Sequence, residues 1–463
     1  MSANQILTAE QMGAAERALF DAGTSEFELM QEAAGGAAEW IRRIACGRSV
    51  TVLCGPGNNG GDGYVIAQLL RRVGNAVRII APVPPSTETA RQARDLWGAD
   101  VQTSDGGRRG DVFVDCLFGS GLSRPLSGEH ALLLRDLAHR HDYRVAIDVP
   151  SGIASDTGEV LNERVPRFDL TLALGAWKFA HHLLPGRRLM GATRLVPLGI
   201  AAQDDASRLI EKPEIAPPRF DAHKYRRGLA VIVAGAMPGA PQLAAAAAMR
   251  AGAGYVKLWD RSEEAGADPS LVVESGELTE ALSDERISAV LIGPGLGRDA
   301  RAEERLQTAL AAERALVCDA DALHLLTPEI RGEAGPIIAT PHDGELDALC
   351  RRFPVMAGTR MERVRALARI SDMVVVAKGP DTLIAAPDGR QAIAPPAPTW
   401  LSIAGTGDVL AGIIVSRAAT GRPPFEAACE AVWLHGAAAR LASPAFTPDE
   451  LVRTIPQAVA RCL

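Results

Sequence analysis

The sequence predicts an α/β protein of two domains, each a parallel sheet with helices on both faces. Short β-branched runs alternate with longer helical stretches through both halves of the 463-residue chain, the pattern a crossover-connected parallel sheet requires. A polar interval with Pro213, Pro217 and Pro218 interrupts the middle, after the apolar run Val196-Pro197-Leu198-Gly199-Ile200. Most strand candidates then feed a turn rich in Gly, Asp or Asn, and the carboxyl ends of parallel strands are where such sheets hold ligands. The first domain is expected over residues 1–205, a linker over 206–221 and the second domain over 222–463.

Taken in order, Thr8-Ala9-Glu10-Gln11 has capping-box spacing and opens a helical pattern. Strands are expected at Val50–Leu53, Val77–Ile80, Val112–Val114, Val145–Val149 and Leu170–Leu174, with helices such as Tyr64–Val73 and Ala131–His139 between them. In the second half, strands are expected at Leu229–Ala234, Tyr255–Trp259, Ala289–Ile292, Ala315–Cys318, Pro336–Ala339 and Met373–Ala377. Helices are expected at Gln242–Arg250, Arg301–Ala311, Gly344–Arg351, Asp408–Arg417 and Phe425–Arg440.

Composition bounds the function. Apolar residues make up 47% and charged residues 23%, ample for two packed cores. With aromatics at 4% and 45 glycines, those cores rely on small side chains. A net charge of -7 without a basic stripe argues against nucleic acid as partner. The seven cysteines include no CxxC pair, which argues against a disulfide framework or a zinc site and for a reducing compartment. No signal peptide is read at the start, and runs such as Gln242–Met249 and Val409–Val415 are too short for a bilayer. The expected setting is the cytoplasm, with no membrane partner and a homo-oligomeric assembly.

In the first half, the strand Val50–Leu53 runs into Gly55-Pro56-Gly57-Asn58-Asn59-Gly60-Gly61-Asp62-Gly63. Glycines there would let backbone approach a ligand, and free amides at the next helix start favour anions. Asp115 and Asp148 stand at two further strand ends. Asn59, Asp115 and Ser151 offer oxygen ligands for a hard cation, and Asp148 a proton acceptor. Lys178 reads equally as a phosphate contact or a solvated lysine, and adjacent His181 and His182 point apart, against a metal pair.

GPGNNGGDG, VDCLFGSGL and IDVPSGIASDTGE, in this order, resemble the signatures of the NAD(P)H-hydrate epimerase domain. The resemblance implies a Rossmann-like fold acting on hydrated NADH or NADPH, inverting C6 of the nicotinamide ring. It implies a dinucleotide site lined by Asn58, Asn59, Gly60, Gly61 and Asp62 and by Gly119, Ser120, Gly121, Leu122, Ser123, Arg124 and Pro125. Asp148 would contact substrate and do acid/base work, and Asn59, Asp115 and Ser151 would hold K⁺.

The second half carries the strongest signal, Ala404-Gly405-Thr406-Gly407-Asp408-Val409-Leu410-Ala411-Gly412. A Gly-rich turn opening an apolar helix makes an anion hole, and Asp408 is placed to take a proton from an alcohol attacking a phosphate. IGPGLG, DADAL, TPHDGE and KGPDT each follow a strand. Asp319 and Asp321 would orient water or Mg²⁺, and Lys378 would meet phosphate.

With HKYRRG and RAGAGYV, these motifs resemble the ribokinase-like ADP/ATP-dependent NAD(P)H-hydrate dehydratase domain from His223 to Gly412. The resemblance implies that Lys378, Gly379, Pro380, Asp381, Thr382 and Gly407 hold the AMP part of the nucleotide. Ala240, Gly297, His342 and Asp408 would contact the hydrate, Asp408 as base, with Mg²⁺ in attendance and ADP as co-substrate. The chain departs from the family pattern at Ala234–Ala240, at Pro269-Ser270 in place of Pro-Glu, and at Ala404 in place of Gly. Both halves together resemble the bifunctional NAD(P)H-hydrate repair family. A ribokinase-class small-molecule kinase with an accessory first domain, and a non-catalytic nucleotide-binding scaffold, are the alternatives.

Overall fold

The computed structural model describes residues 4–261, 268–356 and 358–463. The chain divides into two compact units, Met1–Ser207 and Arg208–Leu463.

In the first unit a short strand β1 (Gln5–Ile6) bridges through Ile6 to Trp177. The main sheet holds β2 (Val50–Cys54), β3 (Val77–Ile80), β4 (Gly110–Cys116), β5 (His141–Ile147), β6 (Leu170–Leu174) and β7 (Ala192–Val196). Their order is β3-β2-β4-β5-β6-β7, parallel throughout. β2 and β6 are buried along their whole length, which is why they read as apolar runs broken only by Thr51 and Thr171. Helices Ala9–Asp21 and Glu26–Ala45 each begin with a complete capping box, at Thr8 with Gln11 and at Ser25 with Glu28.

The second unit holds β8 (Ser207–Leu209), β9 (Leu229–Val233), β10 (Tyr255–Trp259), β11 (Val272–Glu274), β12 (Ile287–Ile292), β13 (Ala315–Cys318), β14 (Ile337–Ala339), β15 (Met373–Ala377), β16 (Leu383–Ala385) and β17 (Gln391–Ile393). The order runs β8-β17-β16-β15-β14-β13-β12-β9-β10-β11. From β11 to β15 the strands are parallel, and β15, β16 and β17 form an antiparallel edge. One core cluster joins helices Gly239–Arg250, Thr406–Ala419, Pro424–Leu441 and Pro448–Ala460 to the sheet. A Cβ on Gly412 would lie 2.2 Å from the Ala244 carbonyl oxygen, so the Thr406 helix runs backbone to backbone against the Ala-rich Gly239 helix.

Several expectations are corrected. The helix after β2 spans Asn58–Arg72, so the expected glycine-rich loop is its opening turns. Its glycines are there for packing: a Cβ on Gly60 would meet the Gly55 carbonyl at 1.9 Å, and one on Gly63 the Cys54 sulfur at 2.8 Å. Residues read as linker instead pack on the second unit, with Arg208 and Leu209 paired to β17, Ile210 buried and the Ile215 amide donating to the Cys462 carbonyl. Strands β7, β11, β16 and β17 and helix Arg360–Ser371 add to the expected set. The short strands are too brief to show a period, and the helix is largely polar.

All seven cysteines are free thiols; six are buried and Cys46, just past the Glu26–Ala45 helix, is exposed. Burial pushes the Cys318 and Cys429 thiols up to about 12. Among the described residues no helix is long and apolar enough to cross a membrane.

Candidate active sites

In the first unit a cavity of about 510 Å³ lies beyond the carboxyl ends of β2, β4 and β5. Asn58, Asn59, Asp62, Gly119, Ser120, Gly121, Leu122 and Asp148 line it. Gly60 and Gly61 are turned into the helix packing, and Ser123, Arg124 and Pro125 lie outside the lining on the surface.

The turn after β4 is stitched to three side chains. The Leu117 amide donates to Asp115 Oδ1 at 3.1 Å, the Phe118 amide to Ser151 Oγ at 2.9 Å, and the Ser120 amide to Asp148 Oδ2 at 2.9 Å. Gly119 fits between them because a Cβ there would lie 3.1 Å from Asp148 Oδ2 and 3.2 Å from Asn59 Cγ. Ser151 Oγ also donates to Asp115 Oδ1 at 2.8 Å. Burial is the main cause that pushes the Asp115 carboxyl up to about 6. The Asn59 amide oxygen and nitrogen are both buried with no hydrogen-bond partner. An orphaned buried oxygen is costly unless something outside the chain satisfies it.

Asp148 sits at φ 64, just past β5. Lys178, 1% exposed, donates to its Oδ1 at 2.6 Å and to the Leu174 carbonyl at 2.6 Å. The His181 ring, buried, bonds the Asp148 carbonyl at 2.7 Å. Burial works to raise the Asp148 carboxyl, but the Lys178 ammonium outweighs it and holds the group below its ordinary value. Lys178 is therefore neither a solvated lysine nor a free phosphate contact. Across the cavity, burial pushes Asp62 well up and Glu16 up, the Asp148 charge adding to both. The Asp148 carboxyl is thus shifted toward its ionised form and the two neighbours toward their protonated forms, opposite directions of the kind that separate acid from base. Sequence reasoning missed Glu16, which carries no motif, and the pairing of Lys178. Its place between Trp177 and Phe179 was the available signal.

In the second unit the helix Thr406–Ala419 begins after Gly405 at φ 93, with no side-chain cap. Its first amides are left free to face an anion. Burial and the Asp319 charge push the Asp408 carboxyl up to about 6, against the pull of Lys378. Lys378 Nζ donates to Asp319 Oδ1 at 2.6 Å, and Thr340 Oγ1 donates to the same atom at 2.6 Å. A Cβ on Gly407 would lie 3.4 Å from Lys378 Nζ. Asp408, Asp319, Lys378 and Gly407 therefore converge, drawn from the ends of β13 and β15 and from the helix start.

The other expected residues sit in strand-end turns. The Gly297 amide donates to Asp321 Oδ2 at 3.0 Å. His342 caps helix Asp343–Arg352, its Nδ1 accepting from the Gly344 and Glu345 amides. Gly379 and Thr382 close their turn by mutual bonds between the Gly379 backbone and Thr382 Oγ1. Asp381 pairs with Arg360 at 3.2 Å. Ala240 lies in the first turn of helix Gly239–Arg250. Half-buried His435, held near 4 chiefly by desolvation of its ring, stands behind Thr406.

The two units define an enzyme class: a Rossmann-like sheet with a cavity lined by titratable groups, followed by a ribokinase-like sheet with an uncapped, Gly-rich helix start. Comparison with known proteins agrees. Residues 230–457 match a family model described as NAD(P)H-hydrate dehydratase, and residues 26–180 one described as YjeF-related protein N-terminus. The chain is 34% identical to a bifunctional NAD(P)H-hydrate repair enzyme of Gloeobacter violaceus, covering 94% of this chain and 92% of that one. It is 33% identical to the enzyme of that name from Escherichia coli, over 94% and 86% of the two chains. Among solved structures, a ribokinase-like superfamily protein from Enterococcus faecalis superposes with a TM-score of 0.50 at 25% identity, over 57% of this chain and 98% of that one. The chain belongs to the family of bifunctional NAD(P)H-hydrate repair enzymes.

Proposed function

We propose that this protein returns hydrated NADH and NADPH to use, the first unit interconverting the R and S epimers at C6 and the second dehydrating the S epimer with ADP. The observation that carries the reading is the junction of Asp408, Asp319 and Lys378 at an uncapped helix start, within a segment that matches the dehydratase family.

In the second unit the free amides of Thr406, Gly407 and Asp408 and the Lys378 ammonium face the transferring phosphoryl group. Lys378 to Thr382 and Gly407 hold the nucleotide, and Ala240, Gly297 and His342 border the hydrate. Asp408, poised at about 6, takes the proton of the C6 hydroxyl. The C6 oxygen gains the phosphoryl group as the bond from that phosphorus to AMP breaks; phosphate then leaves C6 as C5 loses a proton, and the C5–C6 double bond so formed restores the dihydronicotinamide. Among the described residues no three of His, Cys, Asp and Glu form a metal cage. Mg²⁺ needs only one or two protein carboxylates when it also meets phosphate oxygens, and Asp319 would hold it here. It would supply charge neutralisation on the phosphates.

In the first unit Asn58, Asn59, Asp62 and Gly119 to Leu122 face the dinucleotide, and Asp148, oriented by Lys178 and His181, works at C6. The orphaned Asn59 oxygen with Asp115 and Ser151 fits K⁺, an ion that takes oxygen donors. K⁺ would supply fixed positive charge beside the ligand.

The test is incubation of the full chain with hydrated NADH, ADP, Mg²⁺ and K⁺. Near-ultraviolet absorbance of dihydronicotinamide should rise in step with released phosphate. A phosphorylated product that accumulates without that absorbance would favour the kinase alternative. Epimerisation is followed from the pure R epimer, which should be consumed by the wild type and spared by Asp148→Asn.

A further inference from the structure

Arg360 carries no motif, yet it makes a dense set of bonds in the second unit. It is the first residue of helix Arg360–Ser371, behind a Thr359–Glu362 capping box. Its Nε donates to Asp343 Oδ1 at 2.7 Å. Nη1 donates to the Asp381 carbonyl at 3.0 Å and to Asp381 Oδ1 at 3.2 Å. Nη2 donates to the Ala377 carbonyl at 3.1 Å and the Lys378 carbonyl at 3.0 Å. All three nitrogens are used, on the turns that follow two neighbouring parallel strands, β14 and β15.

Gly379 is shaped for this guanidinium. A Cβ there would lie 2.8 Å from Arg360 Nη2. The glycine thus lets the loop fold down onto the arginine. Asp381 is 8% exposed, and the arginine supplies the charge beside it. The planar fork of an arginine can serve several carbonyls and a carboxylate at once, whereas an ammonium is a single point charge.

We infer that Arg360 is the positioning residue for the Lys378–Thr382 loop, fixing the loop's carbonyls so that Lys378 and the loop amides meet the nucleotide in one geometry. Arg360 acts through the loop and does not touch the reacting atoms. The inference rests on the reading of that loop as the nucleotide site. Small misplacements of a positioned group cost binding and rate steeply.

The experiment uses the full chain with Arg360→Ala and Arg360→Lys. Steady-state dehydration is measured against ADP and, separately, against the hydrate. Both variants should raise KM for ADP by about tenfold or more and lower kcat, since Lys378 is displaced with the loop, with KM for the hydrate moved by less than about threefold. Arg360→Lys should not rescue, since it keeps the charge and loses the fork. Epimerase activity on the same preparations reports an intact first unit. If Arg360→Ala does not fold, calorimetric titration of Arg360→Lys with ADP gives the same answer. An ADP constant within about twofold of wild type, or full rescue by lysine, would overturn the inference. Wild-type enzyme that restores no dihydronicotinamide with ADP would instead sink the functional reading beneath it.

Discussion

Replacing Asp408 by Asn is expected to remove dehydration and make the second unit more stable. Burial and the Asp319 charge hold the Asp408 carboxyl at about 6 against an ordinary 3.8. At 1.36 kcal/mol per pH unit, that gap corresponds to about 3 kcal/mol as an upper bound. Part of the carboxylate meets solvent, so screening reduces the expected gain to about 1 kcal/mol. For a unit of this size that is about 2–4 °C in thermal midpoint. The direction follows from the raised value. The folded state prefers the protonated form, so its penalty is present above about 6 and vanishes below 3.8. Asp408→Asn should therefore melt higher than wild type at about pH 7.5, with the difference shrinking by about pH 5. Turnover should fall by about 10²–10⁴-fold while ADP still binds by calorimetry. A variant that melts lower, or whose gain is the same at both pH values, would refute a desolvated, repelled carboxylate.

Other outcomes follow from the same structure. Lys178→Met leaves the Asp148 carboxylate buried without its ammonium and should cost the first unit about 3 kcal/mol or more by chemical denaturation, together with epimerisation. Gly412→Ala drives a methyl onto the fixed Ala244 carbonyl and should cost about 1–3 kcal/mol. Gly61→Ala meets chiefly the flexible end of Met30, with the Ala90 Cα next at 3.3 Å, so denaturation should show a smaller loss. Exchanging K⁺ for a bulky organic cation should lower the first unit's melting midpoint and the epimerisation rate. That K⁺ effect should fade in acid as Asp115 takes up a proton, a change that burial favours.

Much of the fold was legible because fully buried strands such as β9 and β15 are unbroken apolar runs. The edge hairpin β16–β17 was not, because three-residue strands show no period. Glycines were the harder lesson. In sequence, the Gly-rich stretch 55–63 reads as a turn whose glycines let backbone approach a ligand, while Gly60 and Gly63 are there because backbone and sulfur leave no room for a methyl. The helix start at Asp408 was legible from local order alone, since a capless Gly-rich turn before an apolar run advertises itself. Arg360 was not, because its partners at residues 343 and 377–381 come together only through tertiary packing. Lys178 fails for a similar reason: no local pattern tells that Asp148, thirty positions away, is its partner.

The contrast between Cys46 and the six enclosed sulfurs gives the molecule a ready-made labelling chemistry. A maleimide dye offered to the native protein has one accessible nucleophile, on the first unit, while stoichiometry above one dye per chain reports that an interior has opened. The same reagent therefore serves as an optical tag in the folded enzyme and as a clock for its unfolding, with no engineered cysteine.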